Sequence, residues 1–256
     1  MLLALDAGNT NITIGVFRNG SLGSRWRLRT VHGQTADEWG VLLRNLFSLA
    51  GLDFSIIDGV IISSVVPPLD ASLSEMSRRY FHRDPVFVTS ETDTGLRILY
   101  ENPREVGADR IVNSVAAFHE LGGPCVVVDL GTAITFDAVS SKGEYLGGII
   151  CPGVDISIQA LFVKTARLPM VDFRDPGRLI GTNTVGSIQS GLYYGLTSMI
   201  DGLIERLAAE LGSETRLIAT GGQAELVVRG SRYLKRADPD LTLRGLQLIW
   251  ERNRRP

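Results

Sequence analysis

The sequence has little cysteine, no excess of basic charge and no long hydrophobic run. Its two cysteines, Cys125 and Cys151, each lie in an apolar stretch, which excludes a disulfide framework and a clustered thiolate metal site and is typical of a reducing cytoplasm. The 26 Lys and Arg residues are offset by 28 Asp and Glu residues, so the chain lacks the positive charge needed to neutralise a nucleic-acid backbone. We therefore expect no nucleic-acid partner.

The hydrophobic runs are short. Gly59–Val66 and Pro124–Val128 both fall well below the ~20 apolar residues that span a bilayer. The first residues enter a strand pattern directly, so no export signal is predicted. We predict a cytoplasmic protein without a membrane partner, and we interpret the basic tail Arg252–Arg255 as a solvated terminus.

Apolar and polar residues alternate in patterns typical of interleaved strands and helices. With 44% hydrophobic residues, a chain of 256 residues can bury one large core or two modest ones. After two opening strands we predict a helix with a capping box at Thr35, a strand, a helix, a strand and a further helix. These elements run over Thr35–Leu49, Val60–Ser64, Pro67–Tyr80, Pro85–Thr89 and Ile111–Leu121.

The opening strand and turn recur in the second half of the chain. Residues 2–16 align with residues 125–139, and both segments begin with an apolar strand that ends in Asp-x-Gly, at Asp6 and at Asp129. A duplicated strand–turn–strand unit is implied. We therefore predict two domains, over residues 1–112 and 113–256.

The turn Asp6-Ala7-Gly8-Asn9-Thr10 has the composition of a phosphate-binding loop. Its glycine lets backbone N–H groups approach phosphate oxygens, its asparagine and threonine add donors, and its aspartate can hold Mg²⁺ or a Mg²⁺-bound water. A turn stabilised by an Asx side chain between two strands is the alternative interpretation.

Two later segments extend this pattern. Asp129–Thr135 offers the same chemistry with hydroxyl groups, and Leu217–Gly222 is an apolar strand before a turn of small residues, against which an adenosine can lie. The order of the three motifs is similar to the phosphate 1, phosphate 2 and adenosine motifs of the acetate kinase, sugar kinase, Hsp70 and actin superfamily. That resemblance implies an α/β fold with two ribonuclease-H-like (actin-like ATPase) domains, each with a central mixed β-sheet flanked by helices.

The segment from Tyr100 to Arg110 narrows the resemblance. It reads Tyr-Glu-Asn-Pro-Arg-Glu-Val-Gly-Ala-Asp-Arg, which resembles the type III pantothenate kinases. That family implies ATP-dependent phosphorylation of pantothenate to 4′-phosphopantothenate, the first step of coenzyme A biosynthesis. The other motifs in family order are Asp6-x-Gly-Asn-Thr, Asp129-x-Gly-Thr-Ala-x-Thr, Gly147-Gly-x-Ile-x-Pro-Gly153, Thr184 with Gln189-Ser-Gly191, and Thr220-Gly-Gly.

The tetrapeptide Gly107-Ala108-Asp109-Arg110 supplies two groups that such a reaction needs. A carboxylate can take the proton of a primary alcohol as the bond to phosphorus forms, and a guanidinium can bind a substrate carboxylate through two hydrogen bonds. A surface pair that caps a helix beginning near Ile111 is the alternative. The resemblance assigns Asp109 as the catalytic base and the whole tetrapeptide to the pantothenate site.

The resemblance also implies the remaining ligands. Asp6 lies with the ATP phosphates and Mg²⁺, whereas Asp129 belongs to a monovalent-cation site for potassium or ammonium. Tyr100 and Thr184 line the pantothenate pocket. In a homodimer, Thr184 can belong to the pocket of its own subunit or to that of the second subunit. Taken alone, Tyr100 is interpreted as packing and Thr184 as the N-cap of a helix. The residues implied for ATP are Asp6, Ala7, Gly8, Asn9, Thr10, Asn11, Ile12, Thr13 and Thr132.

Two other functions fit parts of the pattern. A kinase for a sugar or small acid would share the nucleotide loops but would not need the segment from Tyr100 to Arg110. A non-enzymatic regulator on the same scaffold is the second alternative. Retention of Asp6, Asp109 and Asp129 argues against it, because loss of such carboxylates marks an inactive site.

Overall fold

The computed structural model describes residues 1–254 and divides into two compact units. Unit 1 is Met1–Ala116 together with the C-terminal segment from Leu241, and unit 2 is Ala117–Asp240. The predicted boundary lies after residue 112, whereas the first segment of unit 1 runs to residue 116. The C-terminal segment, which the prediction placed in the second domain, is part of unit 1. Arg255 of the predicted basic tail lies outside the described residues.

Unit 1 is built on a mixed five-stranded sheet. Its strands are β1 (Leu2–Ala7), β2 (Asn11–Arg18), β3 (Ser21–Arg29), β4 (Gly59–Ser64) and β5 (Val86–Phe87), and a short strand β6 (Arg97–Ile98) follows along the chain. The strand order is β3-β2-β1-β4-β5, with β1 antiparallel to β2 and parallel to β4. Asp6 therefore lies opposite Thr13 on one side and Ser63 on the other.

Unit 2 repeats this arrangement. Its strands are β7 (Cys125–Leu130), β8 (Ala133–Val139), β9 (Glu144–Pro152) and β10 (Arg216–Thr220). They follow the order β9-β8-β7-β10, with β7 antiparallel to β8 and parallel to β10, which matches β3-β2-β1-β4 of unit 1. In both β1 and β7 every residue is buried except the aspartate one position before the end. The duplicated strand–turn–strand unit is thus present in the structure.

Helices accompany both sheets, and none of those in the described part of the chain combines the length and the apolarity needed to cross a membrane. The predicted capping box is present, because the Thr35 hydroxyl accepts the Glu38 amide at 3.3 Å and the Glu38 carboxylate accepts the Thr35 amide at 2.8 Å. The α-helices are α1 (Ala36–Leu49), α2 (Pro67–Met76), α3 (Ala108–Leu121), α4 (Val154–Lys164), α5 (Thr184–Leu211), α6 (Ala224–Gly230) and α7 (Leu241–Asn253).

Two glycines let α7 lie close to the sheet of unit 1. A Cβ at Gly15 on β2 would lie 2.9 Å from a methyl group of Leu243, and a Cβ at Gly59 on β4 would lie 2.0 Å from the ring of Trp250. Both distances are shorter than carbon atoms tolerate without bonding. The side chains of α7 therefore occupy the space that a larger residue would need on the strands.

We predict that Gly59→Ala destabilises the protein by about 1–3 kcal/mol, because the added methyl group overpacks the contact with Trp250. Gly33→Ala is the matched control, since a Cβ at Gly33 meets no atom within 4 Å. Denaturant unfolding measures both variants against the wild type. Equal midpoints for Gly59→Ala and the wild type would contradict the close packing of α7.

Candidate active site

The predicted phosphate loop of unit 1 connects β1 to β2. The Gly8 amide donates to the carbonyl oxygen of Asn11 at 3.0 Å, which closes a tight turn. Asn9 and Thr10 are exposed, whereas Asp6 is half-buried near the end of β1. The loop therefore presents its polar side chains at the carboxyl end of the central strand, where open α/β sheets bind ligands.

Thr30 holds this loop from the end of β3, a role that sequence reasoning missed. Its hydroxyl donates to the carbonyl oxygen of Gly8 at 2.6 Å, and its amide donates to the carbonyl oxygen of Thr10 at 3.0 Å. Gly8 lies 22 residues away along the chain, so no local motif could have revealed the contact. Two carbonyl groups of the loop therefore already accept hydrogen bonds from Thr30.

The predicted substrate tetrapeptide lies at the start of α3. This helix begins at Ala108 rather than near Ile111, so Asp109 and Arg110 lie in its first turn. Asp109 Oδ1 accepts the Arg110 amide at 2.8 Å and lies 2.6 Å from the position that a Cβ at Gly107 would take. Arg110 is only 8% exposed. The interpretation of these residues as a surface pair that caps a later helix is therefore wrong.

Val65 lies between the loop and the tetrapeptide within unit 1. Its amide donates to the carbonyl oxygen of Ala7 at 3.0 Å, and its Cγ1 lies 3.5 Å from the Cβ position at Gly107. The first turn of α3 is thus beside the ends of β1 and β4. The structure brings the predicted ATP loop and the predicted base to the same edge of the sheet.

The surroundings of Asp109 change its pKa. Burial raises the pKa of the Asp109 carboxyl, and the Arg110 amide and the Arg110 charge offset part of this increase. A general base works best when its pKa approaches the working pH. The environment therefore makes Asp109 a better proton acceptor than a solvated aspartate.

The second predicted loop connects β7 to β8 in unit 2, and glycines make room around it. Asp129 Oδ1 lies 2.6 Å from the position that a Cβ at Gly221 would take and 3.3 Å from the corresponding position at Gly131. Gly221 also has a φ of +93°, in the region that favours glycine. A Cβ at Gly153, the N-cap of α4, would lie 2.1 Å from the carbonyl oxygen of Thr132. The predicted adenosine motif therefore lies against Asp129.

Thr184 is the first residue of α5 in unit 2, and this helix runs for 28 residues to Leu211. The N-cap is Asn183, whose side chain accepts the Gly186 amide at 2.8 Å, so the interpretation of Thr184 as the cap is wrong. Thr184 is exposed and lines a groove of about 770 Å³. Other residues that line this groove are Leu161, Leu168, Thr182, Ser187, Ile188 and Leu192.

The remaining predicted site residue is Tyr100, and the side chains that could bind a metal ion are considered with it. Tyr100 is half-buried in unit 1, between β6 and the 3₁₀ turn Pro103–Glu105. Within residues 1–254, the His, Cys, Asp and Glu side chains form no group of three or more that could hold a metal ion.

Two solved structures share the fold at low sequence identity. A Sinorhizobium meliloti protein described as a 2-dehydro-3-deoxygalactonokinase has a TM-score of 0.61 and 14% identity, over 100% of this chain and 97% of its own. An inorganic polyphosphate/ATP-glucomannokinase from Arthrobacter sp. strain KM has a TM-score of 0.51 and 14% identity, over 98% of both chains. With the repeated mixed sheets, these likenesses confirm the predicted class, two ribonuclease-H-like domains of the actin-like ATPase type.

Sequence comparison then identifies a family within this class. The family model for type III pantothenate kinase matches residues 2–206. A type III pantothenate kinase from Solibacter usitatus is 67% identical over 253 residues, which are 99% of this chain and 97% of the relative. The chain therefore belongs to the type III pantothenate kinase family, and the predicted family and enzyme class are confirmed.

We predict that Asp109→Asn keeps or raises the thermal unfolding temperature at neutral pH. Because burial raises the pKa of Asp109 in the folded protein, its ionised carboxylate destabilises the folded state above that pKa. This destabilisation vanishes at low pH, where Asp109 is protonated in both the folded and the unfolded protein. The gain of the variant over the wild type should therefore disappear as the pH falls toward the usual aspartate pKa.

Asp93→Asn is the control, because its effect on the unfolding temperature is expected to be the opposite of that of Asp109→Asn. A hydrogen bond from Arg252 lowers the pKa of Asp93, so its carboxylate favours the folded state at neutral pH and loses that effect as the pH falls. Thermal melts of both variants across the acid range measure the two trends. A lower unfolding temperature for Asp109→Asn at neutral pH would contradict the assignment of a destabilising charge.

Proposed function

We propose that the protein transfers the γ-phosphoryl group of ATP to the hydroxyl group of pantothenate, which gives 4′-phosphopantothenate in the first step of coenzyme A biosynthesis. Membership of the type III pantothenate kinase family supports the reaction. The observation that carries the proposed site is Asp109, a carboxylate with a raised pKa at the sheet edge that also bears the predicted ATP loop.

We propose that the first loop and the second loop bind ATP. Within the loop from Asp6 to Thr13, the exposed side chains of Asn9 and Thr10 would donate to the phosphates, with Thr132 on the second loop. Thr30 supports this role, because it holds the first loop in one shape before the nucleotide arrives. The half-buried carboxylate of Asp6 suits a hard cation. Bound with ATP, Mg²⁺ would neutralise charge on the phosphoryl group.

Asp109 and Arg110 are proposed to act on the acceptor. Asp109 takes the proton of the pantothenate hydroxyl as that oxygen bonds to phosphorus, and the bond from phosphorus to ADP breaks. Arg110 binds the pantothenate carboxylate, for which a planar guanidinium is well suited. Gly107 supports this arrangement, since its missing side chain leaves the space beside Asp109 Oδ1. Most of the rate acceleration comes from positioning and charge stabilisation.

A monovalent cation, K⁺ or NH₄⁺, is proposed at Asp129. Because Gly221 and Gly131 have no side chains, Asp129 Oδ1 can lie close to the backbone at both positions, and a carboxylate oxygen is a ligand that suits a hard cation. A single carboxylate does not discriminate between cations. The choice of K⁺ or NH₄⁺ therefore rests on the family.

We further propose that the protein is a cytoplasmic homodimer in which Thr184 and Tyr100 contact pantothenate. Leu179 and Ile180, close to the start of α5, are 66% and 80% exposed, and clustered exposed apolar side chains mark association surfaces. Thr184 is exposed at the groove in this region. A second subunit would cover these apolar side chains and would place Thr184 near the site of its partner.

The reaction is tested with purified protein, ATP, Mg²⁺ and K⁺, using ADP release and mass spectrometry of the product. We expect phosphorylation of pantothenate but not of sugars or small acids. Asp109→Asn should lower kcat by about 10²–10⁴-fold, the usual contribution of a general base, whereas the exposed control Asp93→Asn keeps it. Phosphorylation of a sugar in place of pantothenate, or an active Asp109→Asn variant, would overturn the proposal.

The dimer is tested by complementation. Thr184→Val should raise KM for pantothenate, because a hydroxyl contact to substrate is lost. The control is Thr215→Val, because the Thr215 hydroxyl of unit 2 donates to the carbonyl oxygen of Gly212 and has no proposed role. If Thr184 acts across the dimer, mixing Asp109→Asn with Thr184→Val restores wild-type KM in half of the sites of each mixed dimer. Absence of restored activity in verified mixed dimers, or a monomeric mass in solution, contradicts the proposal.

A further inference from the structure

A buried carboxylate, Asp137, lies on β8 two residues beyond the second loop and has no role in the proposed mechanism. Its side chain is fully buried. Tyr145 on β9, also buried, donates its hydroxyl to Asp137 Oδ1 at 2.8 Å, and Thr135 donates its hydroxyl to Asp137 Oδ2 at 3.1 Å. A carboxylate without solvent is retained only where hydrogen bonds compensate it, so the orientation of both hydroxyl groups is fixed.

These bonds determine what Thr135 can offer to a ligand. A hydroxyl group has one proton and two lone pairs, and the proton of Thr135 is used by Asp137. What remains is an oxygen that accepts. Thr135 therefore cannot also donate to a phosphate oxygen, although its position in the second loop suggests that role.

The acceptor side of Thr135 is next to Asp129. The two residues are directly opposite in the pairing of β7 with β8, so their side chains leave the same face of the sheet with Cβ atoms about 5 Å apart. Asp129 is acceptor-only when ionised. Two oxygen acceptors on one face suit a cation and not an anion.

We infer that Thr135 is a second oxygen ligand of the cation proposed at Asp129, and that the buried Asp137–Tyr145 pair is the positioning device that keeps the Thr135 hydroxyl in its accepting orientation. This inference rests on the proposed function for the existence of the cation. The residues themselves, their hydrogen bonds and their register are independent of it.

The test measures cation binding without turnover. The thermal unfolding temperature is followed as KCl replaces NaCl at constant ionic strength, with and without Mg²⁺ and ADP, for the wild type, four single variants and the double variant Thr135→Val/Asp137→Asn. Thr135→Val removes the hydroxyl at nearly constant shape, Thr135→Ser keeps it, Tyr145→Phe removes one partner of Asp137, and Asp137→Asn leaves an amide that can accept from only one of the two hydroxyl groups.

We expect Thr135→Val to raise the half-saturating K⁺ concentration about tenfold, as loss of a ligand or its support does at other metal sites. Tyr145→Phe and Asp137→Asn should raise it by smaller factors, and Thr135→Ser should restore the wild-type value. In the Thr135→Val background, Asp137→Asn should add little, because its effect passes through Thr135. A merely structural role would instead lower stability equally in KCl and NaCl.

Several results would overturn the inference. These are an unchanged K⁺ response in Thr135→Val, a full effect of Asp137→Asn in the Thr135→Val background, and a wild type that does not respond to K⁺ in either condition. Kinase assays separate this from the proposed function. If pantothenate is phosphorylated equally well in K⁺ and Na⁺, the proposed kinase reaction holds and the proposed role of the cation is wrong. If the protein responds to K⁺ but does not phosphorylate pantothenate, the cation site holds and the proposed reaction is wrong.

Discussion

The position of one aspartate near the end of each central strand is the constraint on which both loops depend. In β1 and β7 this residue is opposite a threonine of the next antiparallel strand, as Asp6 is to Thr13 and Asp129 to Thr135. A slip of one residue in either pairing would turn the aspartate toward the core and an apolar side chain toward the loop. The apolar residues of β1 and β7, which are buried on both faces of the sheet, therefore hold the carboxylates in place by making such a slip costly.

Glycines also position the site, because several of its polar atoms lie close to where the Cβ of any other residue would be. Asp109 Oδ1 lies in the space at Gly107, and Asp129 Oδ1 lies in that at Gly221. The carbonyl oxygen of Thr132 has the same relation to Gly153. Each of these glycines would displace a functional group if it carried a Cβ, so their role is to admit neighbours more than to add flexibility.

The sequence predicted the features that are encoded locally. The capping box at Thr35 and the repeated Asp-x-Gly turns depend on residues a few positions apart, and both are found. Contacts that depend on how strands pair and pack escaped prediction, including those of Thr30 with the first loop and of Tyr145 on β9 with Asp137 on the neighbouring strand β8. The start of α3 was placed too late, because its first turn contains Asp109, whose side chain bonds the next amide and resembles a cap in sequence. Roles assigned to single site residues stay predictions.

The C-terminal helix belongs to the architecture of the site although it carries none of the motifs. α7 packs on β2 and β4 through the space at Gly15 and Gly59, and the Thr242 hydroxyl donates to Asn113 of α3 at 2.7 Å, across 129 residues of chain. It thus contacts both the sheet that bears Asp6 and the helix that bears Asp109. Because the entropy of closing a loop rises only with the logarithm of its length, the long segment between these contacts costs little more than a short one. The C-terminal segment can therefore fold as part of unit 1 although unit 2 precedes it in the sequence. The distance between the first loop and Asp109 is set by packing and not by closeness in the sequence.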